Sequence, residues 1–214
     1  MTLATQNKNE GLPSVCPQCQ LRYQCICEHL PSLTSAAHIA LLMHENEQRR
    51  DTNTGQWLLK SLPSSTSVHT WQRTEPCSKL LALLNDKHYQ AYLLFPSEDS
   101  VPVSQAFRLT SSEGRTPLFI ILDGTWQEAK KMLRKSAWLK DLPLAHIITS
   151  HASNYQLRRN QEEGHLCTLE VGSEVLRAIG EKQQAEHLLT FFDHYMQAFK
   201  ADKSGHALKI KTDG

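Results

Sequence analysis

Asp123 closes an apolar run, Pro117 to Leu122, and is followed by Gly124-Thr125-Trp126-Gln127-Glu128-Ala129-Lys130-Lys131-Met132-Leu133. The run reads as a buried strand, the glycine as a tight turn, and Thr125 as the N-cap of a helix. A carboxylate at the carboxyl end of a strand can take a proton, and open α/β sheets gather ligands at that edge because loops and helix N-termini converge there. Asp123 is therefore the candidate general base; the competing role is to cap the helix itself. Trp126 offers a platform for a base, a stack that contributes on the order of 1–3 kcal/mol, or a wedge that packs the helix onto the sheet.

A second group of chemical residues lies near the start. Four of the six cysteines form Cys16-Pro17-Gln18-Cys19 and Cys25-Ile26-Cys27. Two short pairs can fold back around one Zn²⁺, whose tetrahedral preference and affinity for thiolate suit them, and four protein ligands leave no position for a substrate. The expectation is a structural zinc knuckle, with His29 as an alternative donor. A bridge between Cys25 and Cys27 would close a very strained ring. Cys77 and Cys167 stand alone and read as small buried hydrophobes.

These groups need a frame. With 214 residues, 40% of them hydrophobic, and a formal net charge of +1, the chain has material for one core plus an appendage. That charge neither demands nor excludes nucleic acid. No run has the length of a transmembrane span, and residues 1–11 lack the apolar centre of a signal peptide, so a cytoplasmic protein is expected. Ala36 to Met43, Gln90 to Phe95, Pro117 to Leu122 and Leu144 to Thr149 read as strands, Ser67 to Trp71 more weakly. Gly55 to Leu62, Cys77 to His88 (Pro76 in its first turn) and Thr125 to Ser136 read as helices. The alternation predicts an α/β fold, a mostly parallel sheet with helices on both faces. Glu174 to Gly180 and Gln184 to Lys200 follow as helices, the second carrying an apolar stripe from Leu188 to Phe199. The expected division is a polar start and knuckle (1–34), a catalytic domain (35–200) and a flexible tail (201–214). Gly-x-Gly-x-x-Gly and P-loop patterns are absent, which speaks against a Rossmann or P-loop nucleotide site.

Asp123-Gly124-Thr125-Trp126 resembles the signature of the DTW-domain family, Asp-x-Thr-Trp. Other segments are similar to its remaining motifs, in order. They are Met43-His44, Glu47 and Asn53-Thr54-Gly55; Leu93-Leu94-Phe95-Pro96-Ser97; Gln127 to Met132; and Arg158 followed by Gly164-His165-Leu166-Cys167-Thr168-Leu169-Glu170. The chain departs at Glu45, where proline is usual, and at Cys167, where serine is more common. The resemblance implies a SPOUT-like fold with a C-terminal trefoil-type knot around a pocket for S-adenosylmethionine. It also implies transfer of a 3-amino-3-carboxypropyl group to N3 of a uridine in the variable loop of tRNA.

On that reading Asp123, Thr125 and Trp126 are the catalytic candidates. Leu94, Phe95, Pro96, Leu122, Leu166, Cys167, Thr168 and Leu169 would hold the co-substrate. One of Arg49, Arg50, Arg158 and Arg159 would clasp its carboxylate in a fork of hydrogen bonds. Lys130, Lys131, Arg134 and Lys135 form a basic stripe for RNA phosphates, to which Arg158 and Arg159 add. A SPOUT-type RNA methyltransferase and a non-catalytic zinc-containing RNA-binding module are the competing readings. The expected state is a monomer with tRNA as partner and no membrane association.

Overall fold

The computed structural model describes residues 13–148 and 166–208. Six strands form one sheet in the order β2-β1-β5-β3-β6-β4. They are β1 (His38–Met43), β2 (Thr66–Thr70), β3 (Tyr89–Leu94), β4 (Val101–Pro102), β5 (Thr116–Asp123) and β6 (Leu144–His146). Every pairing is parallel, as strand–helix alternation requires. Between them run α1 (Gly55–Ser61), α2 (Ser78–Asn85), α3 (Val103–Ser112), α4 (Trp126–Lys135) and α5 (Ala137–Lys140), and α6 (Thr168–Ala178) and α7 (Lys182–Lys203) complete the fold.

The period of two along the strands divides the core. Ile39, Leu41, Phe119 and Ile121 face α1, α3, α6 and α7, whereas Ala40, Leu42, Leu118, Ile120 and Leu122 face α2, α4 and α5. Strand β5 sits between β1 and β3, and from Pro117 to Asp123 it is wholly buried. Because Met43 pairs with Asp123 in the β1–β5 register, both strands end level and leave their last residues at one edge. No helix among the described residues is long and apolar enough to cross a membrane.

Several boundaries differ from the sequence reading. Helix α6 begins at Thr168, not Glu174, because Glu170 reaches back to the Cys167 N–H (2.8 Å) and starts the helix six residues earlier. Helix α3, the short β4 and α5 were not expected; α3 carries only Val103, Ala106 and Thr110 as buried residues, too sparse a stripe to stand out. Pro76 precedes the N-cap of α2, which is Cys77. The last helix continues to Lys203, past the boundary expected at residue 200. Glu45 opens a tight 3₁₀ turn, Glu45–Arg49, without the proline. The knot expected from the resemblance depends on the path of residues 149–165, which lie outside the described residues, as do Arg158, Arg159 and Gly164-His165.

The cysteine segment shares the main core. Cys19, Leu21, Ile26 and Leu33 are buried in the same cluster as Trp57, Phe192 and Tyr195. Asp202, in the last turn of α7, accepts from the backbone N–H groups of Arg22 (2.6 Å) and Tyr23 (2.9 Å). Lys60 donates to the Gln18 carbonyl (2.7 Å) from the other side.

Candidate active site and metal centre

Asp123 is 2% exposed, and both carboxylate oxygens are engaged by residues remote in sequence. Asn53 Nδ2 donates to Oδ2 at 2.9 Å, and the Thr168 hydroxyl donates to Oδ1 at 2.6 Å. Its own backbone carbonyl accepts from His44 N (2.9 Å). Capping α4 falls to Thr125 instead: its oxygen accepts from Glu128 N (3.3 Å) while Glu128 Oε2 accepts from Thr125 N (2.8 Å), a capping box. With the helix end satisfied by Thr125 and Glu128, Asp123 is left to its ligand-edge partners.

The segment after β1 supplies the other wall. Asn53 also donates to Glu47 (3.2 Å), and Glu47 is buried against Arg50. Arg50 then forks onto Glu128, Nη1 to Oε2 at 2.9 Å and Nη2 to Oε1 at 3.0 Å. Burial alone would raise the pKa of Glu128, but Arg50, Asn46 and Thr125 outweigh it and hold the carboxyl well below the usual carboxylate range. Glu128 and Glu47 in turn hold Arg50 above its ordinary value, against the cost of burial. Arg50 is thus committed to two glutamates, which weighs against it as the clasp for a substrate carboxylate. His44 is buried, accepts from Asn46 N at 3.3 Å and stacks on Trp71 (5.5 Å between centroids). Since Nδ1 accepts there, its 3.7 Å approach to Glu128 is not an ion pair.

Beside Asp123 opens a cavity of about 260 Å³, near the lower end of small-ligand pockets, roughly 300–1,000 Å³. Leu94, Phe95, Pro96, Leu122, Trp126, Leu166 and Thr168 all line it, so three segments picked out separately in the sequence converge. The Phe95 and Trp126 rings stack on each other (5.4 Å, 6°), and Lys130 Nζ lies 5.1 Å from the Trp126 ring. Cys167 and Leu169 are not on that wall. Leu169 is fully buried in the core and its N–H meets the Thr54 hydroxyl (3.3 Å); burial and the Glu170 carboxylate push the Cys167 thiol up. His146 also lines the cavity; an isolated histidine at a strand end has no sequence pattern to mark it.

On the solvent side of α4, Thr125, Gln127, Glu128, Lys130, Lys131 and Arg134 line an open groove of about 500 Å³. Lys135 is exposed one residue further along the same helix.

The four cysteines of the knuckle close on one point, with all sulfurs within 4.8 Å of one another. Individual separations are 3.6 Å (Cys25–Cys16), 3.8 Å (Cys16–Cys27) and 4.0 Å (Cys19–Cys25). A tetrahedron of Zn–S bonds near 2.3 Å has edges of about 3.8 Å, so the donor set fits that ion. The backbone N–H groups of Cys19 and Gln18 draw the Cys16 thiol down to about 6, while burial pushes Cys19 and Cys27 up. His29 turns onto the ring of His194 instead (4.7 Å).

The fold is a parallel α/β sheet with a buried acid and an apolar cavity at its carboxyl edge, and a four-cysteine cluster packed onto the same core. The chain belongs to the DTW-domain family, whose model matches residues 13–200. It is similar to a protein of Drosophila melanogaster named tRNA-uridine aminocarboxypropyltransferase 2, 29% identical over 83% of this chain and 71% of that one. Proteins of the same name from Macaca fascicularis (24% identical, 77% of this chain) and Mus musculus (25%, 71% of this chain) also match. The chain spans 56% and 51% of the length of those two mammalian relatives. No solved structure matches significantly.

Proposed function

We propose that the protein is a tRNA-uridine aminocarboxypropyltransferase that uses S-adenosylmethionine as co-substrate. The observation that carries this reading is the hydrogen bond from Thr168 to Asp123 at the edge of the apolar cavity. Leu94, Phe95, Pro96, Leu122 and Leu166 would enclose the nucleoside of the co-substrate, whose sulfonium supplies an activated carbon. The uridine N3 needs to lose its proton to become a competent nucleophile. Thr168 can accept that proton as it passes its own to Asp123, and Asn53 keeps the carboxylate aimed. The N3–carbon bond forms as the carbon–sulfur bond breaks with its electron pair on sulfur, releasing methylthioadenosine.

The groove on α4 supports phosphate binding by Lys130, Lys131 and Arg134, with Lys135 beside them and Arg158 and Arg159 as further candidates. Zinc at Cys16, Cys19, Cys25 and Cys27 would be structural, since four sulfurs complete its shell. The relatives' names support the reaction assigned here.

The deciding experiment incubates the purified chain with tRNA and S-adenosylmethionine labelled in its amino-acid arm, then analyses the nucleosides by mass spectrometry. Labelled uridine with methylthioadenosine is expected. A methylated nucleoside with S-adenosylhomocysteine would show an RNA methyltransferase instead. tRNA bound but unmodified would leave a binding module.

A further inference from the structure

Of the described residues on the cavity wall, His146 alone is titratable; the other side chains are apolar except for the Thr168 hydroxyl and the indole N–H of Trp126. It ends β6, beside Pro102 of β4, at the same edge as Asp123. Ser100 determines which ring nitrogen carries hydrogen. The Ser97 N–H donates to Ser100 Oγ (3.1 Å), and the Ser100 hydroxyl spends its single proton on the Ser97 carbonyl (2.5 Å). In its contact with His146 Nδ1 at 2.9 Å, Ser100 can therefore only accept. Nδ1 is the protonated nitrogen of the neutral ring, and Nε2 is left as a bare acceptor that bonds no described residue.

We propose that Nε2 of His146 reads the purine edge of the nucleoside, accepting a hydrogen bond from the 6-amino group of adenine. The inference rests on the cavity being the nucleoside site. Apolar walls bury any flat heterocycle alike, the Trp126 N–H can only donate, and the Thr168 hydroxyl spends its proton on Asp123, so the preference for an amino group falls to Nε2. A 6-oxo purine would set its carbonyl oxygen against Nε2, two acceptors face to face with neither satisfied. Sites built to bond a polar group reject the analogue that cannot answer it far more strongly than an apolar pocket rejects a change of size.

The test is calorimetric binding of 5′-methylthioadenosine and 5′-methylthioinosine to the full chain, with thermal unfolding to confirm that each variant is folded. The wild type should prefer the amino compound by on the order of tenfold to a hundredfold. His146→Leu should bring the two affinities together. Ser100→Ala, which leaves the ring in place but frees its tautomer, should erode the preference with little change in the affinity for methylthioinosine. Equal binding by the wild type, or a preference that persists in both variants, would overturn the role of His146 while the cavity remains a nucleoside site. If neither compound binds the wild type, the nucleoside reading of the cavity fails and this inference with it.

Discussion

The Thr168 hydroxyl meets Asp123 Oδ1 at 2.6 Å across 45 residues of sequence, joining the first residue of α6 to the last of β5. Through it a carboxylate that is itself buried gains a polar route to the cavity. On the proposed reading, the pairing would let the acid act without being exposed to water, where it would be solvated and less responsive.

Replacing Asp123 by Asn keeps the shape and removes the proton acceptor. Product formation should fall about 10²–10⁴-fold, the usual contribution of a positioned base. Binding of methylthioadenosine should stay within a few fold of wild type. Nucleoside mass spectrometry and calorimetry measure the two quantities, and unimpaired turnover would end the role assigned to Asp123.

Gly55 offers an independent perturbation of the same acid. A Cβ placed there would stand 2.9 Å from Asp123 Oδ2 and 3.2 Å from Leu41 Cδ1. Gly55→Ala, ordinarily favourable in a helix by about 1 kcal/mol, should instead displace the carboxylate. We expect a tenfold or greater loss of turnover with a small change in the unfolding midpoint.

Glu128 links acid stability to the site. Its pKa is depressed in the fold below the ordinary 4.5. Its contribution is therefore complete above about pH 4.5 and is lost as the pH falls from there towards the depressed value. Urea unfolding from pH 3 to pH 7 should show a steep acid limb in the wild type and a shallower one in Glu128→Gln. That variant should also be less stable at pH 7 by roughly 1–3 kcal/mol, because Arg50 loses its forked partner. Parallel acid limbs in the two proteins would contradict this account.

Reversing Lys130, Lys131, Arg134 and Lys135 to Glu should weaken tRNA binding and flatten its salt dependence. Each lost phosphate contact removes about 0.7–0.9 from the slope of log affinity against log salt. Fluorescence anisotropy across 50–200 mM salt reads this directly, and an unchanged slope would place the RNA elsewhere.

Asp202→Ala should loosen the knuckle, since two backbone donors lose a charged acceptor worth about 1.5–3 kcal/mol for each hydrogen bond at most. The variant should release zinc to a chelator faster than wild type and unfold at lower temperature. Zinc release at the wild-type rate would show that Asp202 does not brace the cluster.

Much of the frame was legible because it rests on local pattern. The apolar run before Asp123, the Thr125 cap and the cysteine spacing each act within a dozen residues, and each is found in place. What stayed hidden is long-range. Nothing near Asn53 announces that its amide joins Glu47 to Asp123, and nothing near Arg50 announces Glu128, 78 residues away. The start of α6 was misplaced because Cys167 is an unusual cap, and only Glu170 three residues on could have signalled it. His146 gave no sign, since its place on the cavity wall and its contact with Ser100 follow from the strand order rather than from neighbours in sequence.

The bond between Asp202 and the backbone of Arg22 spans 180 residues, so this brace of the cysteine loop cannot form until the far end of α7 has been made. At 5–20 residues per second on the ribosome, that is a wait of about 10–40 s. Throughout it the thiols of a nascent chain stand ready to capture metal or to oxidise. On the proposed reading, metal captured early would protect those sulfurs, so the supply of metal during synthesis would set how many chains keep all four thiols reduced.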